Sequence, residues 1–96
     1  MVYERYEAPS APRVVYGFPG VNLISVNDEA VHGGPGGRDI EKGDLVKIDV
    51  TAEVGGYVAD AAVTVALPSG PKVHEELKEC AELAFARAAS VARAAP

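Results

Sequence analysis

The pair Gly55-Gly56 constrains this chain more than any other feature. It separates two runs, 45–54 and 57–67, in which apolar residues alternate with polar or small ones. Two glycines accept the positive φ that a two-residue hairpin loop demands at both central positions. The runs are therefore predicted to pair as antiparallel strands. With Val54 opposite Tyr57, counting outward sets Ala52 against Ala59, Val50 against Ala61, Ile48 against Val63 and Val46 against Val65. Every member of this set is apolar or aromatic, so it reads as a core face. The opposite face carries Lys47, Asp49, Thr51, Val58, Asp60, Ala62 and Thr64. On it Asp60 opposes Thr51 and Asp49 opposes Ala62, which makes the two aspartates diagonal neighbours with Cβ atoms roughly 6–8 Å apart.

Two readings of that face stand side by side. One face of an antiparallel sheet commonly meets water, and solvated aspartates there need no further cause. Against this, Asp is depleted in strands and close like charges repel. A divalent cation removes that repulsion, and two carboxylates so placed can bracket a pair of ions about 3.5–4 Å apart. The small neighbours leave room for ions and substrate.

The rest of the chain supplies a frame. Residues 1–13 hold two of the seven prolines and read as an extended N-terminal arm, with 14–96 as the folded unit. "RVVYGFPG" is a short apolar segment closed by the turn signal Phe18-Pro19-Gly20. "VNLISVN", residues 21–27, reads as a strand, and 28–44 as a glycine-rich loop that ends in a tight turn at Glu41–Asp44. From 71 to 95 one helix is expected, with Pro71 in its first turn. Val73, Leu77, Cys80, Ala81, Ala84, Phe85, Ala88, Val91 and Ala92 recur at three- and four-residue steps and form an apolar stripe. That stripe is the natural cover for the apolar face of the hairpin. The fold class is α+β: an antiparallel β-sheet with a long C-terminal helix packed on one face.

Composition excludes several functions. A net charge of −5 with nine scattered basic residues argues against nucleic acid. No apolar stretch approaches the ~20 residues of a membrane span, and "MVYERYEAPSAP" lacks the apolar core of a signal peptide. Cys80 is the single cysteine, so no internal disulfide forms, which fits a soluble, cytoplasmic protein. The glycines at 33, 34, 36 and 37 lack the Lys-Ser/Thr and the strand–loop–helix context of a phosphate loop. The serines lack a neighbouring His–acid arrangement, which sets aside nucleophilic catalysis. His32, in "AVHGGPG", is a loop histidine open to a solvated or a substrate-contacting role, and His74 reads as a surface residue.

Taken together, "GFPG", "ISVNDEAVHGGPGG", "GDLVKIDVT" and "GYVADAAVTV" resemble the first half of a type I methionine aminopeptidase, from about Tyr16 to Leu67 and loosely through the helix. The resemblance implies one half of the pita-bread fold shared by creatinase and the aminopeptidases. It implies that Asp49 and Asp60 are the first two ligands of a dinuclear site for divalent ions such as cobalt, manganese, iron or zinc, the second aspartate bridging both. It gives His32 a contact with substrate or the tetrahedral intermediate, and Phe18 a place in the methionine pocket. The implied reaction is hydrolysis of the first peptide bond at peptide N-termini by metal-activated water.

The chain departs from the family at Leu23, often Cys, at Gly34, often Ile, and at Ala59, often Gly. It also lacks the second half, which carries a His and two Glu ligands in the family. An incomplete site follows: three readings stand, a fragment of an ordinary enzyme, a chain completed by a complementary second-half chain, or a homodimer. The rival reading is a catalytically inactive half-domain that binds metal or peptide.

Overall fold

The computed structural model describes residues 5, 8–17, 22–30, 33, 34 and 36–95. Among the described residues the elements run in the order α1 (Ala11–Tyr16), β1 (Leu23–Val26), β2 (Leu45–Val54), β3 (Tyr57–Ala66) and α2 (Lys72–Val91). The strands form one antiparallel sheet in the order β1-β2-β3. Gly55 and Gly56 take φ of 59° and 86°, the two positive values of a type I′ turn. The Glu53 carboxylate accepts the Gly56 N–H at 2.6 Å and closes that turn.

The segment read as an extended arm is docked where it is described. The Glu53 N–H donates to the Pro9 carbonyl at 2.9 Å, and Ser10 bridges Ala52. Residues 9 and 10 thus continue the edge of β2 beyond the end of β1, satisfying backbone groups that would otherwise face solvent. Helix α1 follows at once. Pro12 suits its first turn, and Gly17 ends it in the left-handed conformation with its N–H on the Pro12 carbonyl. Ser10 and Ala11 are buried.

At the other end, Pro71 is the N-cap of α2 rather than a residue of its first turn, and its carbonyl accepts the His74 N–H. The close approach of Gly43 and Gly70 lets the chain cross from β3 into α2. A Cβ on Gly70 would lie 2.7 Å from the Gly43 carbonyl oxygen.

Among the described residues the buried apolar ones are Ala11, Leu23, Val26, Leu45 and Val46, all toward α1, β1 and the start of β2. Helix α2 buries none of its residues. It meets the sheet chiefly at β3. Its Ala81 walls a groove with Ser25, Lys47, Asp49, Ala62, Val63 and Thr64. Five of these six strand residues, all but Val63, lie on the aspartate-bearing face, so the helix stands on that side. The expectation that its stripe covers the valine face is therefore corrected: Val63 and Val65 stay exposed, and so do Val73, Leu77 and Val91 of the stripe. The radius of gyration, 15.5 Å, exceeds the roughly 12–13 Å of a compact chain of this length.

Candidate metal centre

The hairpin register is the one that alternation and the diglycine turn imply. Val54 pairs with Tyr57, Thr51 with Asp60, Asp49 with Ala62 and Ile48 with Val63. Opposed residues in an antiparallel pair share a face, and so do residues two apart along a strand. Asp49 and Asp60 therefore stand on one face, a single step of the ladder apart. The Thr51 hydroxyl donates to Asp60 Oδ1 at 2.7 Å, holding a carboxylate that is otherwise exposed. Asp49 is half-buried in the middle strand, with its Oδ1 shielded from solvent. Across the β1–β2 ladder Leu23 pairs with Asp49 and is almost wholly buried. An apolar wall thus flanks one aspartate while the other is open.

The loop that contains His32 is tethered beside this face. The Ser25 hydroxyl accepts the Gly33 N–H at 3.0 Å, and the Gly33 carbonyl accepts the Ile24 N–H. Gly33 must lack a side chain, because a Cβ there would run into the Ile24 carbonyl. His32 and Phe18 themselves lie outside the described residues. Ser25 and Thr51 are positioning residues that the sequence did not single out, although Thr51 could be found from the register alone.

A second polar cluster fixes the start of β2. Asp44 accepts from the Glu41 N–H at 2.9 Å, from Asn27 Nδ2 at 2.9 Å and from the Arg38 guanidinium at 3.2 Å. Asn27, in the left-handed conformation at φ 53°, accepts the Leu45 N–H, and its own carbonyl takes Lys47 Nζ. The Glu41 backbone bond, then Asn27 and Arg38, hold the Asp44 carboxyl below its usual pKa of 3.8. This cluster ties the ends of the loop 28–44 together, so that β1 and β2 meet in register below Asp49.

Among the described residues no three His, Cys, Asp or Glu side chains gather at one point. The donor set is two carboxylates, hard oxygen ligands suited to divalent cations but only part of a coordination sphere.

The model of metallopeptidase family M24 matches residues 3–95. The chain belongs to that family. It is 45% identical over 94 residues to methionine aminopeptidase 2 of Bacillus subtilis, covering 97% of this chain and 38% of that protein. It is 41% identical over 88 residues to a methionine aminopeptidase of Staphylococcus epidermidis, covering 91% of this chain and 35% of the relative. The crystal structure of methionine aminopeptidase from Thermotoga maritima superposes with a TM-score of 0.75 at 30% identity, over 81% of this chain and 32% of the other. This M24 chain thus has the pita-bread architecture of its relatives over the part it spans, and it spans less than two fifths of their length.

Proposed function

We propose that this chain supplies one half of a divalent-metal site for removing the N-terminal methionine of peptides, with Asp49 and Asp60 as metal ligands. The observation that carries the reading is the shared face of the two aspartates on an M24 hairpin. When bound there, divalent ions supply an activated water and a Lewis acid for an amide carbonyl. Asp49 and Asp60 bring the anionic charge that attracts such ions. Thr51 fixes the rotamer of Asp60 through its hydroxyl. Leu23 keeps water from one side of Asp49. Ser25 and Gly33 hold the loop that carries His32 against β1. In this reading His32 donates a proton or hydrogen bond to the substrate, and Phe18 lines its apolar pocket. The single, unbridged cysteine suits a cytoplasmic setting.

The remaining ligands come from a second half, on further polypeptide or on a second copy. Two carboxylates give weak affinity, so manganese or cobalt at ten times its dissociation constant raises stability by about 1.4 kcal/mol. Thermal melts with each ion measure this, and Asp49→Asn or Asp60→Asn abolishes the shift. A shift that survives both substitutions refutes the assignment. The isolated chain is expected to release no methionine from a short peptide, and steady turnover by it would contradict a half site. A second reading, an inactive half-domain that binds metal or peptide, is favoured by the absence of a third ligand among the described residues. It predicts the same melts, but no turnover after the second half is restored.

A further inference from the structure

Lys47 stands on the aspartate-bearing face. It lies two residues before Asp49 on β2, which puts both side chains on one side of the sheet, about 6.6–6.8 Å apart along the strand. Both line the groove between the sheet and Ala81. Ser25 and Thr64 flank Lys47 across the two ladders. Among the strand residues of this face Lys47 is the single cation, against Asp49, Glu53 and Asp60. Lys78 comes near from α2, but its ammonium pairs with Glu75 at 3.4 Å and with Glu82 at 3.6 Å.

The Lys47 ammonium is also tethered. Its Nζ donates to the Asn27 carbonyl at 2.6 Å, just past the end of β1. Ser25 faces Lys47 and Leu23 faces Asp49, so the side chain leans along the ladder away from Asp49. Asn27 is itself fixed. Its N–H donates to the Leu45 carbonyl, its Oδ1 accepts the Leu45 N–H, and its Nδ2 donates to Asp44. An untethered surface lysine can swing aside when a cation arrives. This one is held where its charge is felt.

Resting on Asp49 and Asp60 as metal ligands, we propose that Lys47 is a built-in counter-charge that sets the cation affinity of their face. Without metal it offsets the repulsion between the two carboxylates. With metal it opposes the incoming ion. A unit charge and a divalent ion roughly 10 Å apart in water repel enough to weaken binding about fourfold. The affinity of the two carboxylates is thereby held down, and ions stay exchangeable until further ligands join them.

Manganese alone, titrated into the full chain with free ion followed by electron paramagnetic resonance, is the test. At low ionic strength Lys47→Gln is expected to bind manganese about fourfold more tightly than the unaltered chain. The gap should close toward about 0.5 M KCl, as salt screens the charge. Lys47→Arg keeps the charge and should bind as the unaltered chain does. Thr64→Lys adds a second charge across the ladder, leaves the Asn27 tether in place, and should weaken binding by a similar factor. Urea melts in chelator check that each variant folds, and there Lys47→Gln should be no more stable than the unaltered chain. Unchanged or weaker binding by Lys47→Gln overturns the proposal. Equal tightening by Lys47→Arg also overturns it, because the cause would then be shape and not charge. If Asp49→Asn abolishes binding while Lys47→Gln leaves it unaltered, this proposal alone fails. If Asp49→Asn leaves binding intact, the metal reading fails and takes the proposal with it.

Discussion

The two ends of the sheet are built differently. At β1 and the start of β2, Leu23, Val26, Leu45 and Val46 are buried, and Asn27, Asp44 and Ser25 satisfy loop backbone groups. At β3 and α2, Val58, Val63, Leu77 and Phe85 remain exposed, and the described side-chain bonds are mostly between near neighbours in sequence. The contrast is between a finished core and surfaces still awaiting one. Apolar pattern alone does not distinguish them, because both sides carry strong alternation or a clear helical stripe. What differs is whether long-range partners exist within these residues to receive them.

Substitutions can break or sharpen that contrast. The largest loss is expected at the finished end. Gly33→Ala forces a methyl group into the Ile24 carbonyl, and urea denaturation should report a loss of about 3 kcal/mol or outright unfolding. Leu23→Ala, at a site 2% exposed, should cost about 2–4 kcal/mol. The next effect depends on pH. The Asp44 carboxyl titrates below 3.8 in the folded chain, and at the ordinary value when unfolded. Its contribution is therefore complete above that value and is lost as pH falls through the lowered folded pKa. Asp44→Asn should flatten this acid limb of the stability profile, and an unchanged limb would mean that the cluster carries no such linkage. Smallest of all, Phe85→Ala at 76% exposure should change stability by less than about 0.5 kcal/mol. A loss as large as that of Leu23→Ala would show that the β3–α2 side is already packed.

The hairpin was legible because its causes are local. Ten residues of alternation on each side of a diglycine fix the register, and one slipped residue would exchange the two faces. The shared face of Asp49 and Asp60 follows from that count alone. Helix α1 was not legible: six residues with a proline make a poor isolated helix, and it stands because Ser10 and Ala11 dock on β2. The Asn27–Asp44 bond joins residues 17 apart through a loop, and no periodicity announces such a pairing. The stripe on α2 was aimed at the valine face of the hairpin, where Val63 and Val65 stay exposed. Periodicity identifies a face that wants burial but says nothing of what buries it. The resemblance carried the family assignment, while His32 and Phe18 lie outside the described residues, and their placement rests on proposal.

The tightness of the Gly55-Gly56 bend bears on the order in which the molecule acquires its parts. Asp49 and Asp60 sit only eleven positions apart along the chain, joined by the shortest loop that reverses a strand. Hairpins of this kind close in about 1–10 μs, ahead of any pairing that must first shut a long loop. The two acids can thus be brought into their relative positions early in folding, before β1 pairs across its eighteen-residue connection. A cation present at that moment would meet a nascent chelating pair and act on the kinetics of folding as well as on its end point.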